Sequence, residues 1–134
     1  MIILDEQLLG RGIESAIARW YPGAVRFITE LRPGTIIKDD AIPLLLQREA
    51  EPTFVTINET DFWQRVEITS HFCVVCIALA DSQVDRIPSL LQRLLRNSEF
   101  QTKSQRMGRV VRITALGASF YCTDNSVVTP VQGW

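Results

Sequence analysis

Histidine is almost missing from this chain: His71 is the only one among 134 residues. It falls in a loop before an apolar run, a place for an exposed or structural side chain rather than a catalytic one. No Ser/His/Asp arrangement can be assembled around it, and no zinc-ligand spacing or glycine-rich phosphate loop is present. Cysteine is scarce too, an odd three with no framework spacing. The pair Cys73-Val74-Val75-Cys76 has the C-x-x-C spacing, but it lies inside Phe72 to Leu79, which reads as a buried strand. Strand positions three apart point to opposite faces, so the two sulfurs should not meet at a metal or a disulfide. There is no excess of charge, the formal net value being -1. That argues against nucleic-acid binding driven by overall charge, while leaving room for local basic patches. No apolar run nears the ~20 residues of a membrane span. No basic segment with a signal-type apolar core opens the chain, because Asp5 and Glu6 follow Leu4 at once. The expectation is a cytoplasmic protein without a membrane partner. Repeats and low-complexity segments are absent.

What is present is an alternation of short β-type runs and helical patterns. Residues 1 to 4 read as a first strand, followed by a helix with Leu9, Ile13, Ala16 or Ile17 and Trp20 on one stripe. Gly10 and Gly12 weaken its first turn, and Tyr21-Pro22-Gly23 stops it. Ala24 to Ile28 is a second strand, and Thr29 to Lys38 a loop. The next helix starts at Asp39-Asp40. With Asp40 as N-cap, Pro43 takes a first-turn position where its missing N–H removes nothing, which leaves Asp39 without a capping role. Pro52 to Ile57 is a third strand, a short helix carries Phe62, Trp63 and Val66, and Phe72 to Leu79 is the fourth strand. A further helix, capped by Asp85, places Ile87, Leu90, Leu91, Leu94 and Leu95 at core spacing.

Four such repeats predict an α/β domain over residues 1–97, a mainly parallel four-stranded sheet with helices on both faces. Right-handed crossovers favour the strand order 2-1-3-4. Residues 98–134 read as an extension of that domain: a β-hairpin from Val110–Thr114 and Ser119–Thr123, then an irregular tail. A free hairpin edge would suit strand pairing in a homodimer.

In that order the exits of strands one and three adjoin, and ligands gather where the strand order reverses. Asp5 leaves the first exit, and Asn58 and Asp61 leave the third. Asp39 can lean in from the side. Each also has an ordinary structural reading, since Asp5, Asp40 and Asn58 sit where N-caps belong and Asn58 with Asp61 has capping-box spacing. Together, several carboxylates in one crevice repel one another, and a hard divalent cation, Mg²⁺ or Mn²⁺, is the simplest compensation. Such an ion suits attack on a phosphodiester. The expected metal ligands are Asp5, Asp39 and Asp61. Asn58 is expected to orient a ligand, and Asp39 to serve alternatively as general base. Arg11, Arg32 and Lys38 are placed to reach the crevice rim. Arg106, Arg109 and Arg112 offer either phosphate contacts or a solvated hairpin face.

Three stretches carry a family resemblance. Ile3-Leu4-Asp5-Glu6-Gln7 resembles the Leu-Asp-Glu-Asn opening of a PIN-like nuclease group found in bacterial toxin–antitoxin loci and often catalogued as a domain of unknown function. Asp39-Asp40-Ala41-Ile42 resembles its Asp-x-x-Ile helix head, and Thr56-Ile57-Asn58-Glu59-Thr60-Asp61-Phe62 its Thr-x-Asp-x-Asp-Phe turn. The likeness spans about residues 1 to 95. It implies a three-layer α/β/α, Rossmann-like PIN fold and a Mg²⁺- or Mn²⁺-dependent endoribonuclease. The implied acidic site is Asp5, Asp39 and Asp61, and the implied partners are an RNA substrate and a cognate antitoxin. Asn58 stands where the commoner pattern has Asp, one extra residue separates it from Asp61, and Gln7 replaces Asn. The alternative expectation is therefore a PIN-like binding or regulatory module without turnover. A response-regulator receiver is set aside, because the only lysines are Lys38 and Lys103 and no Asp ends strand three.

Overall fold

The computed structural model describes all residues, 1–134. Its strands are β1 (Ile2–Leu4), β2 (Val25–Phe27), β3 (Thr53–Thr56), β4 (Cys73–Ile77), β5 (Arg109–Thr114), β6 (Gly117–Cys122) and β7 (Thr129–Pro130). The helices are α1 (Ile13–Ala18), α2 (Ile42–Gln47), α3 (Glu59–Phe62), α4 (Ile87–Arg96) and α5 (Lys103–Arg106). One sheet contains every strand, in the order β2-β1-β3-β4-β5-β6-β7. The fold is mixed α/β, and the first four strands stand in the order 2-1-3-4. The sheet nevertheless has seven strands where four were expected. β5 lies parallel to β4, with Val74 opposite Val110, and only then does the chain turn back into antiparallel β6 and β7. The expected extension is thus the continuation of the sheet itself, and its tail is partly regular.

Alternating side chains divide the core in two. Ile2 and Leu4 of β1 join Cys73, Val75 and Ile77 of β4 on one face, under Ile13 and Ile17 of α1 and Ile87, Leu91 and Leu94 of α4. Ile3, Phe54, Val74 and Cys76 face the other way, against Ile42, Leu45 and Leu46 of α2 and Phe62 of α3. Being covered twice is why β4 reads as an unbroken apolar run. Cys73 and Cys76 accordingly belong to opposite clusters, and burial pushes both thiols up to about 12. They are packing residues. His71 is exposed, as its loop position suggests.

Several local expectations change. The chain after β1 makes a 3-10 turn over Glu6–Leu8, and α1 begins only at Ile13. Gly10 and Gly12 have φ of 74° and 73°, a left-handed backbone that glycine tolerates and a helix does not. Leu9 is consequently exposed, outside the predicted stripe. Asp40 does not cap α2. Asp39–Ala41 forms a 3-10 turn that leads into the helix, and Pro43 sits in the first helical turn after it. Asp85 likewise lies within a 3-10 turn, Asp81–Arg86, ahead of α4. Between β6 and solvent, β7 pairs with Ser119 and Phe120, so the hairpin edge expected to be free is partly occupied. No helix is long and apolar enough to cross a membrane.

Candidate active site

β1 and β3 run side by side with Leu4 opposite Val55, so both release the chain at the same sheet edge. There they are stitched together. The Asp5 backbone N–H donates to the Val55 carbonyl at 3.0 Å. The Thr56 hydroxyl donates to Asp5 Oδ2 at 2.6 Å, and Thr56 Oγ1 in turn accepts from the Asn58 N–H at 3.0 Å. Asp5 Oδ1 accepts from the Glu6 N–H at 2.8 Å. Asp5 is only 4% exposed, and burial raises its pKa above the usual carboxylate value against the lowering effect of those two hydrogen bonds. A buried carboxylate with one donor per oxygen and no cationic partner keeps lone pairs to spare.

Asn58 caps α3 and clamps its acid in one arrangement. Its Oδ1 accepts from the Asp61 N–H at 3.2 Å, while its Nδ2 donates to Asp61 Oδ2 at 2.7 Å. The capping reading of Asn58 therefore holds, and its amide is spent on the Asp61 side chain. The amide donor helps keep Asp61 ionised: its pKa is lowered first by Asn58, then by a hydrogen bond from Asp39. Asp39 reaches this pair from the turn before α2. Its pKa is raised to about 6 by partial burial, then by the hydrogen bond to Asp61 and that residue's charge, then by the charges of Asp5 and Glu6. The Asp39 carboxyl thus keeps its proton into the mildly acid range beside an ionised Asp61, and the charge of Asp5 adds to that effect.

The four predicted residues are not brought together equally: Asn58 and Asp61 are hydrogen-bonded, Asp39 shares a hollow with Asp61, and Asp5 is tied to Thr56 and acts on Asp39 through its charge. No group of three acidic, histidine or cysteine side chains is placed as a ready-made metal cage. A hollow of about 650 Å³ opens beside Asp39 and Asp61, walled by Asp40 of the turn before α2, Leu44 of α2 and Arg65 just after α3, among others.

The cations depart further from expectation. Arg11 is not a free cation, because Asp81 holds its guanidinium at 2.8 and 2.9 Å. Arg109 lies over the Phe100 and Phe120 rings and donates to the Glu99 carbonyl. Arg112 pairs with Glu59 at 2.7 Å, and Arg106 is buried. Arg109 and Arg112 are thus held within the protein, and none of the three lines the acidic hollow. Arg32 and Lys38 stay exposed and unpaired.

Sequence reasoning missed Thr56, Glu6, Arg65 and the bracing of α3. Glu59 at the head of α3 is held by Arg112 of β5, and the Gln64 N–H donates to the Tyr121 hydroxyl of β6 at 3.1 Å. The last strands, read as peripheral, fix the turn that carries Asp61. Arg65 lowers the Asp61 pKa and lines the hollow. Only the Thr56-x-Asn58 spacing, a hydroxyl two residues before the cap, signalled any of this. The chain has no significant match to a protein-family model, a curated protein or a solved structure.

Proposed function

We propose that the protein is a PIN-like, Mg²⁺- or Mn²⁺-dependent endoribonuclease, and the toxin of a type II toxin–antitoxin pair. The observation that carries this reading is the placement of Asp39 and Asp61 on one hollow, with Asn58 clamping Asp61, beside the exits of β1 and β3 where Thr56 holds buried Asp5. The donor set fits a hard divalent cation: carboxylate oxygens with spare lone pairs, mutual repulsion and no compensating cation at Asp5. Since no three-residue cage is preformed, the fit is to an ion that keeps most of its waters and takes one or two carboxylates directly, as Mg²⁺ does. Asp5, Asp39 and Asp61 would hold it. When bound, such an ion supplies stabilisation of charge developing on the phosphodiester.

The chain's own residues do the rest. Asn58 fixes the Asp61 carboxylate, and Thr56 fixes that of Asp5. As the alternative to holding the ion, Asp39 would accept the proton of a water that attacks phosphorus, while the ester P–O bond breaks and the leaving oxygen takes a proton from solvent. Arg65, Arg32 and Lys38 supply cationic contacts for the neighbouring phosphates. Leu44, 61% exposed on the wall of the hollow, offers an antitoxin an apolar foothold beside the carboxylates.

The missing cage also favours a second reading, a module of the same fold that binds without turnover. Incubating RNA with Mn²⁺ and either wild type or Asp5→Asn separates the two. Cleavage by wild type, reduced about 100-fold or more in the variant, is the expected result. Equal and negligible cleavage by both hands the site to the second reading.

A further inference from the structure

At the opposite, amino edge of the sheet lies another cavity, of about 490 Å³. It is walled by the turn after α1, the last turns of α4 and helix α5. Arg96, Lys103 and Arg106 all line it, Trp20 and Gln92 complete its sides, and no carboxylate does so. The two ion pairs of the molecule, Arg11–Asp81 and Arg112–Glu59, involve none of these cations. Arg106 is the unusual one. It is 5% exposed, its Nη1 donates to the Phe100 and Gln101 carbonyls at 2.8 and 3.2 Å, and its Nε is buried with no partner. A buried guanidinium with an unused donor and no anion is costly unless something brings both.

Arg96 alone has an ordinary explanation, as a cation in the last turn of α4. Lys103 and Arg106 lie in α5, a single turn too short to build a sizeable helix dipole of its own. Nor do they suit a neutral ligand. The planar fork of arginine and a flanking lysine match a multiply charged oxyanion better than a single carboxylate. The cavity exceeds a bare phosphate and falls in the range of small-molecule sites. Trp20 gives it a flat, half-buried wall.

We propose that this amino-edge cavity binds a small phosphorylated molecule, its phosphate against Arg96, Lys103 and Arg106 and its organic portion along Trp20. The site is separate from the acidic crevice and does not depend on nuclease activity.

Isothermal titration of the full chain tests it with three probes: AMP, inorganic phosphate and adenosine. AMP is expected to bind most tightly, phosphate more weakly, and adenosine not at all. Equal affinity for AMP and phosphate would retain the phosphate contact and remove the role given to Trp20. Lys103→Gln, at an exposed position, is expected to weaken AMP binding about tenfold. Arg106→Gln is expected to weaken it further, with a melting curve to establish that the variant is folded. If Arg106→Gln does not fold, Arg96→Gln takes its place beside Lys103→Gln. Absence of binding by both anions at millimolar concentration overturns the proposal. So does adenosine binding as tightly as AMP, or AMP affinity unchanged in the Lys103 and Arg96 variants.

Discussion

The two edges of the sheet are electrostatic opposites. At the carboxyl edge Asp5, Asp39 and Asp61 crowd together with too little positive charge, and Asp39 holds a proton up to about pH 6. At the amino edge Arg96, Lys103 and Arg106 line one cavity with no negative charge, and a guanidinium nitrogen is left without an acceptor. A net charge of -1 conceals both imbalances, because they nearly cancel across the molecule. Net charge describes solubility and long-range steering. It is a poor guide to what a fold prepares locally.

The comparison is most sharply tested by giving each edge its missing partner. Mn²⁺ should stabilise the fold through the acidic edge and phosphate through the basic one, each by about 2.7 kcal/mol at a hundredfold excess over its dissociation constant, read as a rise in melting temperature. The sites share no residues, so the two increments should add. Asp39→Asn should remove only the first and Lys103→Gln only the second. Loss of both in either variant would mean the edges are not independent.

A smaller effect is expected from cutting the stitch at the acidic edge. Thr56→Val keeps shape but leaves Asp5 Oδ2 without its donor, a loss of about 1–3 kcal/mol. Chemical denaturation at neutral pH should show it, and much less of it at acid pH, where a protonated Asp5 no longer needs that hydrogen bond. A variant as stable as wild type at neutral pH would mean that Asp5 is already protonated there.

The smallest effect is in the pH dependence without metal. The folded value of Asp39 lies above its ordinary 3.8, with burial the first cause and Asp61 the next. Its contribution to stability is therefore full below the ordinary value and is lost as pH rises through about 6. Asp61 has the opposite sign, its contribution being lost as pH falls through its lowered value. Wild type should lose more stability than Asp39→Asn between about pH 4 and pH 7, by a modest margin because solvent screens both exposed carboxylates. Parallel melting profiles for the two proteins would contradict the raised value of Asp39.

How much of this was legible in the sequence depends on the range of the interaction. Ile3-Leu4-Asp5 and Val55-Thr56-Ile57-Asn58 announce strand exits by themselves, and crossover handedness brings them together. Local geometry misled where 3-10 turns intervened. Asp40 looks like a cap because Pro43 tolerates that frame, yet Pro43 is equally content one turn into a helix led by Asp39–Ala41. The contact of Thr56 with Asp5, 51 residues apart, requires the β1–β3 register and the same-face geometry, neither visible in either segment alone. The arginines near the end of the chain misled for a similar reason. Their neighbours Phe100, Trp63 and Glu59 come from other elements, and three positive charges read in a line look free.

Because β5 continues the parallel sheet, the chain carries no detachable appendage. Cutting it after residue 97 would strip the ladder from the flank of β4, a strand buried along its whole length, and would withdraw Arg112 and Tyr121 from α3. The remnant would present raw, adhesive β-edge to its own copies. A minimal fragment drawn around the acidic motifs would sooner precipitate than fold.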